Sequence, residues 1–331
     1  MSVLRNQDRF LVCLITAAGI IVTTKDTQDA GWSFDNSFMQ LPEAFFSRTN
    51  PEPVKHAVKV LFNEDLANDL GLDVDVLRSS GAQVFAGNEI PPGAAPLAQA
   101  YAGHQFGHFT NLGDGRAVLL GEHVTPKKHR VDVQLKGSGR TCYSRSGDGR
   151  AVLGPMLREY IISEGMYSLG VPSTRSLAVT ATGENVLRNL PLPGAILTRV
   201  AESHIRIGTF QYAAALGDKN NLSQLLKYTV ARHYPELPNT PDLPFTFFRA
   251  VLDKQASLVA RWMLVGFVHG VLNTDNVSIA GETIDYGPCA FLDVYHPETV
   301  FSSIDHQGRY SFEKQPMITQ WNLARLAESL L

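Results

Sequence analysis

The stretch His269-Gly270-Val271-Leu272-Asn273-Thr274-Asp275-Asn276, followed shortly by Ile284-Asp285-Tyr286-Gly287, decides how this chain is read. It places an aspartate and an asparagine side by side in a polar loop. A second aspartate returns after a segment expected to form a short hairpin, Val277–Ile284, turning at Ala280-Gly281. Asx side chains often do no more than shape turns. One amide and one carboxylate returning to the same place, however, suit a hard cation that keeps water and phosphate oxygens in its shell. Asn276 and Asp285 are therefore candidate ligands for Mg²⁺ or Mn²⁺. Upstream of the loop, Phe247 to Val268 has the strongest helical periodicity in the chain. The wider region Leu222–His269 reads as helical, interrupted by the proline-rich stretch Pro235–Pro244.

Further toward the N-terminus the pattern changes to strands. Gly-Asp-Gly-Arg-Ala-Val-Leu occurs at Gly113–Leu119 and again at Gly147–Leu153. Two copies are too few for a solenoid. The first copy runs into a short strand through Leu120-Gly121-Glu122. The second runs into a helix, with Pro155 in its first turn, Met156, Leu157, Tyr160 and Ile161 at helical spacing, and Gly170 as its stop. Between the copies, Val131-Asp132-Val133-Gln134-Leu135-Lys136 alternates strictly. That predicts a half-buried strand with Lys136 on its polar face. Ser176–Val186 and Ala195–Ile207 read as two more strands, the first turning at Thr182-Gly183-Glu184.

The order of features is then a glycine-rich turn (Gly113-Asp114-Gly115-Arg116), a strand lysine (Lys136), a helix glutamate (Glu159), the loop ending at Asn276, and Asp285. Transfer of a phosphoryl or nucleotidyl group needs backbone amides and a cation on the phosphates, and oxygen ligands for a metal. Protein kinases present these parts in this order. The expected fold is accordingly α+β, protein-kinase-like and two-lobed: a strand-rich N-lobe with one key helix, then a mainly helical C-lobe. Val271 is the departure, because it stands where a kinase loop carries its catalytic aspartate, and valine cannot accept a proton. Asp275 is the nearest replacement carboxylate.

Three stretches, Tyr101–Glu122, Gln134–Arg150 and His269–Pro288, closely resemble the selenoprotein O family, and the resemblance runs from about Trp32 to the C-terminus. It implies a kinase-like protein adenylyltransferase, with UTP as an alternative nucleotide, in which the nucleotide lies inverted relative to kinases. Carried over residue by residue, it implies that Gly113, Gly115 and Arg116 contact the nucleotide and that Lys136 holds phosphate with Glu159 positioning it. Asp148 and Gly149 would bind nucleotide, and Arg199 and Arg206 would line the pocket for its adenylate end. Asp275 would be the general base, with Asn276 and Asp285 on the metal. It also implies a helical lobe that continues beyond Leu331. The expected division is an N-terminal extension over 1–31, a nucleotide-binding lobe over 32–205, and a helical lobe over 206–331. Protein substrates bearing Ser, Thr or Tyr hydroxyls are the implied partners.

Bulk properties agree with a soluble enzyme. The 331 residues are 44% hydrophobic and 18% charged, and the net charge of -3 argues against a nucleic-acid or anionic-membrane partner. Cys13, Cys142 and Cys289 build neither a disulfide framework nor a CxxC pair, so a reducing, cytoplasmic setting is expected. Arg5 and Arg9 precede an apolar run, Phe10–Val22, with the outline of a leader but too short to span a membrane comfortably; a buried strand or an upstream extension is the plainer reading. His104 and His108 lack a third metal ligand and are read as structural, and Cys142 shows no activating partner. Two rival readings remain at this level. One is a small-molecule phosphotransferase, whose His-Gly-Asp pattern Val271 also breaks. The other is a catalytically silent scaffold.

Overall fold

The computed structural model describes residues 30–331, together with the backbone of two short strands ahead of them, β1 (Leu14–Ile15) and β2 (Ile21–Val22), which pair antiparallel. The rest of the apolar N-terminal run lies outside the described residues. In chain order there follow β3 (Phe46–Arg48), β4 (Val58–Phe62), α1 (Glu64–Leu70), α2 (Val74–Ser80), α3 (Ala82–Phe85), β5 (Leu97–Gln99) and a separate hairpin of β6 (Ala102–Gln105) and β7 (His108–Asn111). Next come β8 (Ala117–Val124), β9 (Arg130–Lys136), β10 (Ala151–Val152), α4 (Leu153–Ser168), β11 (Arg175–Leu187) and β12 (Pro191–Ala201). The second half holds α5 (Ile207–Ala215), α6 (Lys219–His233), α7 (Leu243–Leu264), the small pair β13 (Phe267–Val268) and β14 (Ala290–Phe291), and α8 (Gln315–Leu330). Strands of one antiparallel sheet lie in the order β3-β5-β8-β9-β12-β11-β4, with β10 on β12. Among the described residues, no helix is long and apolar enough to cross a membrane.

The α+β architecture is as expected, with differences that have local causes. Three helices, α1–α3, accompany α4 in the strand-rich half. Asn63 caps α1 by accepting from Leu66 N, and Asp73 caps α2 by accepting from Asp75 N and Val76 N. Strand β12 starts and ends earlier than Ala195–Ile207, because the chain leaves the sheet after Ala201 to cross to the helices. Helix α7 likewise starts and stops four residues early. Gly266 takes a left-handed φ of 67° and Phe267–Val268 become a strand. The expected hairpin over Val277–Ile284 does not form. Ser278 bridges Arg206 and Thr283 bridges Ser173, so each arm pairs with a distant segment rather than with the other.

Strand β9 is the most instructive difference. Its apolar residues Val131, Val133 and Leu135 enter the core as predicted, but the polar face is buried too, and Lys136 is only 7% exposed. The reason is the helical half, which packs beneath that face and supplies partners. Asp132 meets His204 Nδ1 (2.9 Å) and Arg232 Nη2 (2.7 Å), while Arg232 Nη1 reaches Glu122 on β8 (2.5 Å). Arg232 of α6 thus staples two sheet carboxylates to the helices. Arg232→Ala would leave both buried carboxylates without their arginine, Asp132 with His204 and Glu122 with only Ser37, Phe38 N and Tyr228 as close donors, a loss of about 3–5 kcal/mol. Urea unfolding of the variant and the parent measures it.

Candidate active site

Helix α4 sets the geometry. Its buried line is Met156, Glu159, Ser163 and Met166, while Ile161, expected on the apolar face, is 65% exposed. Met156 packs with Leu197 of β12 and Val179 of β11 beneath the sheet, which carries Glu159 under the strands. In the β9–β12 register Lys136 lies opposite Leu197, and Gln134 opposite Arg199. Antiparallel partners share a face, so Lys136 and Arg199 both point down at Glu159. Lys136 Nζ donates to Glu159 Oε2 at 2.6 Å. Arg199 donates to Glu159 Oε1 through Nη2 (2.5 Å) and Nε (3.0 Å).

Asp285 closes the cluster from the other half. Its Oδ1 accepts from Lys136 Nζ (3.1 Å) and Arg199 Nη2 (2.7 Å), and its Oδ2 from Arg206 Nη1 (2.5 Å). Asp285 has a left-handed φ of 63°, a conformation aspartate tolerates better than most residues. Burial alone would raise its carboxyl, but Arg199, Arg206 and Lys136 hold it well below the usual carboxylate range. For Glu159, too, burial is overcome by Arg199 and Lys136, so it stays ionised. Burial and the nearby Arg199 pull the Lys136 ammonium down against the two carboxylates. Within this cluster three cations meet two carboxylates.

That cleft has a volume of about 280 Å³, and Lys136, Arg199, Arg206, Asp275, Asn276 and Asp285 line it together with Gly115, Arg116 and Val271. Glu159 sits behind it. Asp148, Gly149 and Gly113 do not line this inner space. They line an adjoining cavity of about 400 Å³ that shares Gly115, Arg116 and Asp275 with it. The two glycine-rich copies lie around one loop. A Cβ on Gly113 (φ 129°) would come within 2.4 Å of the Tyr143 ring, and one on Gly149 (φ 68°) within 2.0 Å of Gly139 O. Asp148 is held by Arg188 (2.7 Å) at the outer rim. A larger cavity of about 660 Å³ between α7 and α8 is lined mainly by apolar side chains and contains no titratable group.

The loop around Asp275 is fixed from behind. His269 is buried and its Nε2 lies 2.9 Å from Ile284 O, tying the loop to the Asp285 segment. Asn276 Nδ2 donates to Val271 O (2.8 Å), which leaves its Oδ1 available. Arg206 Nη1 donates to Asp275 O (2.6 Å) and stacks over the Tyr101 ring at 4.6 Å. Asp275 itself is 6% exposed. Gln105 Nε2 approaches Oδ2 at 3.4 Å, and buried Oδ1 has no partner. Burial pushes its carboxyl up to about 6, against the pull of Arg206.

Some cleft residues escaped the sequence reading. Asp114, inside the first repeat, is buried, accepts from Gln99 N (3.1 Å) and Gln134 Nε2 (3.3 Å), and is pushed up to about 6 by burial. Tyr101 and Gln105 also line the cleft, and Gln134 carries the link between Asp114 and Arg199. The polar alternation of β9 was a usable signal for Gln134, and the repeated Asp for Asp114. Among the described residues, no group of three or more His, Cys, Asp or Glu could hold a metal. The donor set fits a hard cation only in company: Asn276 Oδ1 and Asp285 are few ligands, and Asp285 already faces three cations. Such a site suits an ion whose remaining ligands are phosphate oxygens and water. His104 lies against Gln211, Phe109 and Trp321, in line with a structural role.

A strand lysine paired with a helix glutamate, meeting an Asp-Tyr-Gly aspartate where an antiparallel sheet joins a helical half, defines a kinase-like protein. The chain belongs to the SelO family, whose model, described as protein adenylyltransferase SelO, matches residues 30–331. It is 64% identical over 307 residues to protein nucleotidyltransferase YdiU of Bacillus cytotoxicus, covering 92% of this chain and 62% of that protein. It is 58% identical over 310 residues to the protein of the same name from Syntrophotalea carbinolica, covering 93% and 63%. The chain thus spans a little under two thirds of the length of these curated relatives. The solved structure of ROP2 from Toxoplasma gondii, described as a virulence factor with a protein-kinase fold and no enzymatic activity, aligns at 8% identity over 69% of this chain and 67% of that one. Its TM-score is 0.36.

Proposed function

We propose that the protein transfers a nucleotidyl group, AMP from ATP or UMP from UTP, to Ser, Thr or Tyr hydroxyls of other proteins and releases pyrophosphate. The observation that carries this reading is the presence of Val271 and the Asp275 carboxyl in one cleft. Kinase-type transfer needs a carboxylate at the position Val271 occupies. Here the carboxylate stands four residues on, beside Asn276. A carboxyl raised to about 6 is also poised to take a proton near neutral pH. The description of the matching family and the names of the relatives support nucleotidyl rather than phosphoryl transfer.

In this mechanism the acceptor hydroxyl oxygen bonds to the α-phosphorus as the bond to the β-phosphate's bridging oxygen breaks. The hydroxyl proton passes to the Asp275 carboxylate. Lys136, Arg199 and Arg206 offer positive charge to the phosphates, and Glu159 holds the first two in place. Gly113, Gly115 and Arg116, with Asp148 and Gly149 in the outer cavity, cradle the rest of the nucleotide. Asn276 and Asp285 would hold Mg²⁺ or Mn²⁺, which supplies charge neutralisation on phosphate oxygens. The functional division falls near residue 205, with nucleotide contacts mostly before it and the base and metal ligands after it. A cytoplasmic setting belongs to the same reading, supported by the free thiols of Cys142 and Cys289.

The test uses ATP labelled at either the α- or the γ-phosphate, with the protein, a mixed protein extract, and Mg²⁺ or Mn²⁺. Label is expected on protein from α-labelled ATP alone, and is lost in Asp275→Ala and Asp285→Ala. Label from the γ-position alone would make the protein a phosphotransferase. No label from either, in protein that binds ATP, would make it a scaffold.

A further inference from the structure

A fourth cavity, open and of about 580 Å³, adjoins the β6–β7 tip next to Gln105, which approaches Asp275. Phe106, His108, His306, Arg309 and Lys314 line it, with exposed Ile304 and Met317 as apolar walls. We propose that this cavity docks the acceptor protein and selects an acidic side chain, beside an apolar one, a few residues from the modified hydroxyl. The proposal rests on the reading of Asp275 as the acceptor-side base.

Two independent observations carry it. The first is position. Gln105 Nε2 approaches the Asp275 carboxylate, and the next residue, Phe106, turns the hairpin tip with a φ of 50° and faces the cavity. The tip is fixed to the catalytic loop, since Phe106 N donates to Asn273 Oδ1 (3.1 Å) and the Phe106 ring meets Tyr310 edge-on at 5.1 Å. A single residue step therefore separates the side chain that approaches the base from one that lines the cavity.

The second observation is charge. Among the described residues, neither Arg309 nor Lys314 has a carboxylate partner. Arg309 lies over the Trp321 ring at 4.8 Å, and its buried Nε has no hydrogen-bond partner. Lys314 Nζ donates only to Gly308 O (2.9 Å). The one carboxylate in the lining, Asp305, spends its oxygens on Arg309 N and Tyr310 N, at 2.8 Å each. Lys314 also stands at the start of the 16-residue α8 without capping it, so the helix adds its own positive end. Arg309 and Lys314 outnumber Asp305, and a net cationic cavity with apolar walls is complementary to an acidic and apolar segment.

The test uses two fluorescent peptides with a central Ser, Thr or Tyr, identical except that one carries Asp and Glu and the other Lys and Arg at the flanking positions. Binding is read by anisotropy without nucleotide, and transfer from α-labelled ATP is read separately. The acidic peptide is expected to bind at least about fivefold more tightly. Lys314→Glu, whose ammonium supports no other side chain, is expected to abolish or reverse that preference and to raise KM for the acidic peptide while kcat holds. Equal binding of the two peptides, or a preference that survives Lys314→Glu, would overturn the proposal even if both peptides are nucleotidylated. Acidic preference lost in Lys314→Glu, with no label transferred to either peptide, would uphold the docking site and count against the proposed reaction instead.

Discussion

Asp275→Asn is expected to lower nucleotidyl transfer by about 10²–10⁴-fold, the usual contribution of a positioned base, and at the same time to make the protein more stable at pH 7. The two effects share one cause. Burial raises the folded-state Asp275 carboxyl from 3.8 to about 6, so between those values the folded protein binds more protons than the unfolded chain. Stability contributed at this site therefore falls as pH rises through that window. At neutral pH, ionised Asp275 costs on the order of 2–3 kcal/mol. Asparagine keeps the shape and removes that cost. Thermal unfolding of the parent and the variant should diverge from about pH 4 upward, the variant melting higher. Transfer by the parent should rise with pH through about 6. A variant that is less stable at pH 7, or nearly as active as the parent, would remove Asp275 from the role of base.

Glu159→Ala is expected to have the largest stability effect of any site substitution. Glu159 receives Lys136 at 2.6 Å and Arg199 at 2.5 Å, all three nearly out of solvent. Without it, Lys136, Arg199 and Arg206 converge on Asp285 alone. Breaking a buried charge pair from one side costs about 3–5 kcal/mol, and urea titration reads it directly. The pH dependence has the opposite sign to that of Asp275. Glu159 ionises more readily folded than unfolded, so its contribution is present above the usual carboxylate range and lost as pH falls through its depressed folded value. The gap between the parent and Glu159→Ala should therefore close in acid. A gap that stays constant down to low pH would mean that packing, not charge, holds α4 to the sheet.

Lys136, Glu159, Asn276 and Asp285 were legible because each sits in a local pattern: a strand's alternation, a helix after Pro155, an Asx loop, an Asp-Tyr-Gly. Their convergence followed from order along the chain. Arg199 and Arg206 were not legible from spacing, since one lies mid-strand on β12 and the other at the amino end of α5. Only the β9–β12 register and the crossing after Ala201 aim both at Asp285. How deeply Lys136 is buried was not legible for a related reason. A polar strand face looks exposed until a distant half of the chain supplies counter-charges to cover it, as Asp285 and Arg232 do here. The failed hairpin at Val277–Ile284 makes the same point about the backbone, because Ser278 and Thr283 found non-local partners. By contrast, α1 and α2 announced themselves through Asn63 and Asp73 and could have been read from those caps.

The central claim is that the α-phosphate, not the γ-phosphate, is the one attacked. Phosphorus NMR of the by-product in a single reaction of protein, acceptor and ATP tests it most directly. Pyrophosphate appearing in step with acceptor modification, and absent with Asp275→Asn, is the predicted result. ADP appearing in step with acceptor modification would contradict it.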